Sequence, residues 1–407
     1  MTRTALLIAP DSNGDQLVFG IPNVRRLVKL VSGSGFGNIH LLGRIESFVP
    51  LLSDLLPPHH FHPAQDLDQT NQGLQQLVVE KGERVLVLRA DLVIDRSSFK
   101  EFLQTDDNAD ILHMGLAGNG AAAGIYLVRP TDIAPITELL WSPADATAPF
   151  PDRTSHIRGH NGLPRNIGQG ADSTRASEQQ LIASLAAQTA KTDGFMSRHV
   201  DRRISQAISK RLAHTRLTPN QVTLMGVSVG LTGALLLSFP GYWARLVGSL
   251  LFLFCIIVDG VDGEIARLKL MESRFGHYLD ITTDNLVHVA VFVGIGYGQY
   301  NATGNSLYIW ALWALLGGFL VCVLAVYQCI LCVDEAALQQ SPRVLRLMEM
   351  VTNRDFAYLV AFLALVGRLH WFVIGASVGT YAFAAGLWFL TWREQQKRAM
   401  LQQPQRL

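Results

Sequence analysis

Four aspartates, Asp259, Asp262, Asp280 and Asp284, fall within 26 residues of one another. Asp259 and Asp262 are three apart and share one face of a helix, and Asp280 and Asp284 are four apart and share one face of the next. The stretch between the two pairs is short, so the helices are antiparallel neighbours and the four carboxylates converge. Long apolar runs flank them, and ionised carboxylates in such surroundings are costly unless paired or metal-bound. One arginine cannot offset four acids, whereas two divalent cations can. An oxygen-only ligand set favours Mg²⁺ or Mn²⁺. Paired metals suit phosphoryl transfer, because they bridge and neutralise phosphate oxygens. Gly263, Ala266 and Gly276 leave room beside the metals for a bulky ligand, and Arg267 offers a planar fork for a phosphate. Glu264, between these positions, reads as facing an aqueous rim.

The elements that position these residues are membrane spans. Residues 222–239 carry no charge, 246–258 lead straight into Asp259, and 285–333 hold no formal charge at all. At about 20 apolar residues per crossing, the pattern predicts six helices, at 219–239, 243–268, 276–298, 306–332, 354–368 and 370–392. Sixteen basic residues flank one side of these spans and only Arg245 and Arg368 the other, which predicts both termini and the carboxylates on the cytoplasmic side of the cell membrane. Residues 197–218 read as an amphipathic basic helix lying along lipid headgroups, ahead of the first span.

The charge distribution separates this region from the rest. Residues 1–218 contain 22 basic and 22 acidic side chains, residues 219–407 only 12 and 11. Of the ten charged residues from 219 to 333, nine lie between Asp259 and Asp284. The net charge of +1 argues against a nucleic-acid partner. Residues 4–9 and 84–90 read as buried strands, with further strands at 39–43 and 124–128 and helices such as 24–32 between them. That alternation predicts an N-terminal α/β domain with a largely parallel, Rossmann-like sheet. The expected organisation is an α/β domain over 1–141, a loop and linker helix over 142–196, the juxtamembrane helix over 197–218, an all-α six-helix transmembrane bundle over 219–392 and a basic tail over 393–407. His59, His60 and His62 sit in a Pro-flanked stretch that reads as surface loop.

The spacing D-x2-D-G-x2-A-R-x8-G-x3-D-x3-D, from Asp259 to Asp284, resembles the signature of the CDP-alcohol phosphotransferase family at every fixed position. Leu217-Thr218-Pro219-Asn220-Gln221-Val222-Thr223 is similar to the start of that family's first helix. The resemblance implies a transferase that moves a substituted phosphate from a CDP-linked donor to an alcohol hydroxyl of a polyol phosphate or lipid, releasing CMP. It implies Asp259, Asp262, Asp280 and Asp284 as metal ligands and Asp284 also as the base on the acceptor hydroxyl. It places Gly263, Ala266, Arg267, Gly276, Asn220 and Thr223 around the CDP moiety and implies a homodimer. Arg198, Arg202, Arg203, Arg274 and Arg354 are the basic residues available to a phosphate on the acceptor. They also suit headgroup contact.

Residues 3–140 loosely resemble the sugar-phosphate nucleotidyltransferases, through the opening strand–loop–helix, the glycines Gly33, Gly35 and Gly37, and the strand ending in Asp91. Here the loop Pro10–Gln16 has one glycine, two acids and no cation, which is poorly suited to phosphates. The resemblance therefore implies a degenerate nucleotidyltransferase-type domain. The order of the two regions is similar to bifunctional enzymes that make CDP-inositol and then use it, so the bifunctional alternative stays open. Asp91 and Asp95 are the metal candidates there, and both also suit a strand-end turn. A membrane transporter with an intramembrane carboxylate cluster is the alternative of another class, but it would not require Gly263, Ala266, Arg267 and Gly276 at these intervals.

Overall fold

The computed structural model describes residues 3–76, 84–105, 111–115, 122–141, 154–158, 163–168, 170–189, 200–332 and 356–402. The chain forms two compact units. The first comprises Met1–Gln188, Leu212–Arg216 and Arg267–Met271, and the second Thr189–Arg211, Leu217–Ala266 and Glu272–Leu407.

The first unit runs β1 (Arg3–Ala9), β2 (Leu17–Val18), β3 (Ile21–Pro22), α1 (Asn23–Ser32), β4 (Phe36–Gly43), α2 (Val49–Leu52), β5 (Phe61–Pro63) and α3 (Leu67–Gln76). It continues through β6 (Val85–Arg89), β7 (Leu92–Val93), α4 (Arg96–Gln104), β8 (Ile111–Gly115), β9 (Ala122–Val128), α5 (Ile133–Trp141), β10 (Thr154–Arg158), β11 (Arg165–Asn166) and α6 (Ala171–Thr189). Seven strands make one sheet in the order β10-β8-β9-β6-β1-β4-β5. β1 is central and buried from Thr4 to Ala9, as expected of a strand covered on both faces. It pairs in parallel with β4 and β6.

The sheet is largely parallel, as expected, with one exception among the described strands: β9 inserts antiparallel to both β6 and β8. Two strands, β10 and β11, and the helix α6 lie in the stretch read from sequence as loop and linker helix, 142–196. α6 belongs to the first unit rather than to a linker. Its Leu181 and Leu185 are buried with Val18, Phe19, Val93 and Leu163, and its Glu178 accepts a hydrogen bond from the Phe19 amide at 2.7 Å.

Leu268 and Leu270, in the segment just after the signature arginine, pack into the cores of this unit. The guanidinium of Arg26, which is 5% exposed, donates to the Leu268 carbonyl. Burial lowers the Arg26 pKa to about 10, against the pull of Glu178.

The Pro-flanked histidines lie in a helical turn, Pro58–His60, and in β5 rather than in a plain surface loop, with His59 exposed. His60 is buried, its Nδ1 donates to the Ile39 carbonyl at 2.7 Å, and its ring stacks on His40 with centroids 4.7 Å apart. His40 Nδ1 lies 3.2 Å from His62 Nε2.

The second unit holds α7 (Arg202–Leu212), α8 (Pro219–Leu237), α9 (Tyr242–Leu268), α10 (Arg274–Thr303), α11 (Leu307–Cys332), α12 (Phe356–Leu365) and α13 (His370–Gln402). Five of these, α8 to α11 and α13, are long and apolar enough to cross a membrane. The fifth expected span is instead the ten-residue helix α12, and 333–355 lie outside the described residues. The apolar windows of the five helices are at most 39% buried. Side chains such as Trp243, Trp310 and Val378 point outward, as lipid-facing surfaces do. Inward, Ala234, Leu237, Phe252, Val287, Val291, Ile295, Leu315, Val360 and Val373 form one core.

Small residues let the backbones approach closely. A Cβ on Gly294 or Gly298 would come within 2.3 Å or 2.2 Å of the carbonyl oxygens of Ala234 and Leu237. This contact sets α10 against α8 and fixes the depth at which the aspartates of α10 lie.

Candidate active site

α8 is started by a capping box. The Gln221 amide donates to Thr218 Oγ1 at 3.4 Å, and the Gln221 side chain accepts from the Thr218 amide at 3.0 Å. Pro219 takes the first helical position, where its missing N–H costs nothing. This firm start places Asn220 and Thr223 on the first turn. α10 begins equally sharply, with Ser273 Oγ accepting from the Gly276 amide at 3.0 Å. A Cβ on Gly276 would sit 3.1 Å from both Ser273 Oγ and Asn220 Oδ1. Asn220 and Gly276, assigned to the nucleotide side from sequence, are thus neighbours.

The chain turns back between α9 and α10, and three carboxylates meet. Asp259, Asp280 and Asp284 each present an oxygen, all within 4.8 Å of one another. Asp280 Oδ1 is buried and has no hydrogen-bond partner among the described residues. An orphaned buried carboxylate oxygen facing two more acids is chemically fitted to a divalent cation. Asp262 is 5% exposed, and its carboxylate accepts from the Thr223 hydroxyl. It stands one turn beyond Asp259, tied to α8.

The remaining sequence candidates divide as follows. Gly263 and Ala266 are half-buried on α9, and Arg267 is exposed in its last turn. Arg203 and Arg274 are exposed. Arg198 and Arg354 lie outside the described residues. Arg202 Nη1 binds Glu264 at 3.0 Å. His288 packs among Phe252, Phe292 and Phe356, with ring centroids 5.4 to 6.5 Å away.

Glu264 does not face an aqueous rim. It is 1% exposed and accepts from Ser205 and Ser209 as well as Arg202. The available signal is the stripe Arg202, Ser205, Ser209 on one face of a basic helix.

In the first unit, the acids expected at a nucleotidyltransferase-type site are already engaged. Arg89 Nε and Nη2 clasp Asp91 at 2.9 and 2.8 Å, with Asp11 at 3.5 Å. Burial pushes the Asp91 carboxyl above its usual range, and the Arg89 pair pulls it back. Asp95 caps α4, accepting from the Ser98 amide at 3.1 Å and from the Ser97 and Ser98 hydroxyls at 2.6 Å.

Residues 216–392 match the family model described as CDP-alcohol phosphatidyltransferase. The chain is 37% identical over 131 residues to the Thermococcus kodakarensis protein named bifunctional IPC transferase and DIPP synthase, covering 32% of this chain and 28% of that one. It is 37% identical over 101 residues to the phosphatidylinositol phosphate synthase of Mycobacterium tuberculosis, covering 25% of this chain and 46% of that one. The matches thus span between a quarter and a half of these relatives' own lengths. Among solved structures, that synthase with CDP-DAG bound is similar at 22% identity, with 48% of this chain and 92% of that chain covered and a TM-score of 0.31. Residues 216–392, and with them all four signature aspartates, are the part of the chain that matches the CDP-alcohol phosphatidyltransferase family model.

Proposed function

We propose that this chain is an integral-membrane transferase. It moves a substituted phosphate from a CDP-linked donor to an alcohol hydroxyl, releasing CMP and forming a phosphodiester. The observation that carries this is the convergence of Asp259, Asp280 and Asp284, with Asp280 Oδ1 orphaned, inside a segment matching this family. In this reading Asp259, Asp262, Asp280 and Asp284 hold two divalent cations, Mg²⁺ or Mn²⁺. When bound, these neutralise the oxygens of the donor diphosphate and make CMP a better leaving group. The Asp284 carboxylate takes the proton of the acceptor hydroxyl. Gly263, Ala266 and Gly276 leave space for the CDP moiety, with Asn220 beside Gly276. Arg267 supplies a fork for a phosphate, and the exposed Arg203 and Arg274 are the described residues of this set available to a phosphate on the acceptor.

The chain crosses the membrane six times in this proposal, with α12 in the fifth crossing. Its termini and active site face the cytoplasm, on the strength of the basic flanks. It works as a homodimer, as the family resemblance implies. The inositol in the name of the mycobacterial relative supports a polyol phosphate as acceptor, with a lipid hydroxyl as the other arm of the test. The first unit is a nucleotidyltransferase-type domain without cytidylyl transfer, because Arg89 holds the Asp91 carboxylate that a metal would need.

A donor-by-acceptor screen of the purified protein with Mg²⁺ or Mn²⁺, read as CMP by mass spectrometry, tests the proposal. CMP release that requires the cation supports it, and absence of CMP from every CDP-linked donor overturns it.

A further inference from the structure

Glu264 sits inside the signature, between Asp262 and Ala266, yet stands apart from the carboxylate cluster. Its Oε1 accepts from Arg202 Nη1 at 3.0 Å and Ser205 Oγ at 2.8 Å, and its Oε2 from Ser209 Oγ at 2.6 Å. These three donors form one stripe of α7. One turn earlier on α9, Gly260 offers no side chain. A Cβ there would lie 3.8 Å from that of Ser205, an ordinary contact distance, so α7 runs alongside this turn of α9. Just ahead of α7, Asp201 accepts from the Tyr358 hydroxyl of α12. α7 is therefore tied to two helices at once.

At 3.6 residues per turn, Glu264 is turned about 160° from Asp262 and about 140° from Asp259 around α9. The anchored carboxylate and the metal-side carboxylates point out of nearly opposite faces of one helix. A roll of α9 that turned Asp259 away from Asp280 and Asp284 would pull Glu264 out of its donors. A buried carboxylate stripped of its partners is strongly unfavourable, so the anchor opposes that roll.

We propose that Glu264 is a positioning residue: held by α7, it fixes the rotational setting of α9 and thereby the affinity of the carboxylate cluster for divalent cations. This rests on the metal site proposed above.

The test is a Mn²⁺ titration of the full chain in detergent followed by electron paramagnetic resonance, which needs no substrate. Glu264→Ala is expected to weaken Mn²⁺ binding about tenfold, the low end of what loss of outer support costs a metal site. Glu264→Gln, which keeps one acceptor, recovers part of the loss. Arg202→Ala added to Glu264→Ala changes little further, since both remove one interaction. Mn²⁺ affinity unchanged in Glu264→Ala while Asp280→Asn abolishes binding overturns this inference and leaves the metal site standing. Equal failure of wild type and Asp280→Asn to bind Mn²⁺ overturns the metal site and this inference with it. Should Glu264→Ala fail to fold, Ser209→Ala decides, with about threefold weaker binding expected from one lost hydrogen bond and unchanged affinity overturning the role.

Discussion

The Thr223 hydroxyl of α8 donates to the Asp262 carboxylate of α9, which sets Asp262 apart from the three carboxylates that cluster. A buried acceptor left without its donor costs about 1–3 kcal/mol. Thr223→Val should therefore raise the half-saturating Mg²⁺ concentration for CMP release, while Thr223→Ser, which keeps the hydroxyl, stays near wild type. Metal titrations of the two variants give the comparison.

Asp280 brings the orphaned oxygen to the cluster. Asp280→Asn keeps the shape and replaces one carboxylate oxygen with an amide, so CMP release should fall to background while far-ultraviolet circular dichroism stays unchanged. Wild-type rates in Asp280→Asn would remove the site assignment.

Arg89 and Asp91 are 7% and 2% exposed, and each is the other's charge partner. Arg89→Met or Asp91→Leu alone should destabilise the first unit by about 3–5 kcal/mol, whereas the double change recovers most of that loss. Hydrogen exchange in β6 of the full chain reports it. Wild-type protein given CTP and a polyol phosphate should release no pyrophosphate, and robust release would restore the bifunctional reading.

Burial, with His60, His62 and His59 nearby, lowers the His40 pKa from 6.5 to about 4. The folded state disfavours the proton that the unfolded chain accepts, so stability is complete above about pH 6.5 and lost as the pH falls toward 4. Hydrogen exchange in β4 should accelerate across that window, and His40→Asn should flatten the dependence.

The signature is legible from sequence because its geometry is local. Two helical spacings and a short connection are enough to bring Asp259, Asp280 and Asp284 to the same end of neighbouring helices. The capping residues Thr218 and Gln221 are legible for the same reason. Glu264 is not, since its donors lie 55 to 62 residues upstream and a charged side chain beside aspartates reads as solvent-facing. The antiparallel insertion of β9 is equally hidden, because pairing direction follows from distant partners rather than from strand composition. Arg89 and Asp91 could have been paired, as residues two apart on an extended chain face the same way.

The segment Arg267–Met271 is counted with the first unit, although it continues α9 directly. Cutting the chain near residue 189 would therefore not yield two independent proteins. The membrane piece would carry Leu268 and Leu270 without the cores that bury them, and a Leu268 carbonyl without Arg26. Expression of either half alone, or grafting of the membrane half onto another partner, must reckon with that five-residue insert, which belongs to the fold of the first unit although it lies within the membrane half of the sequence.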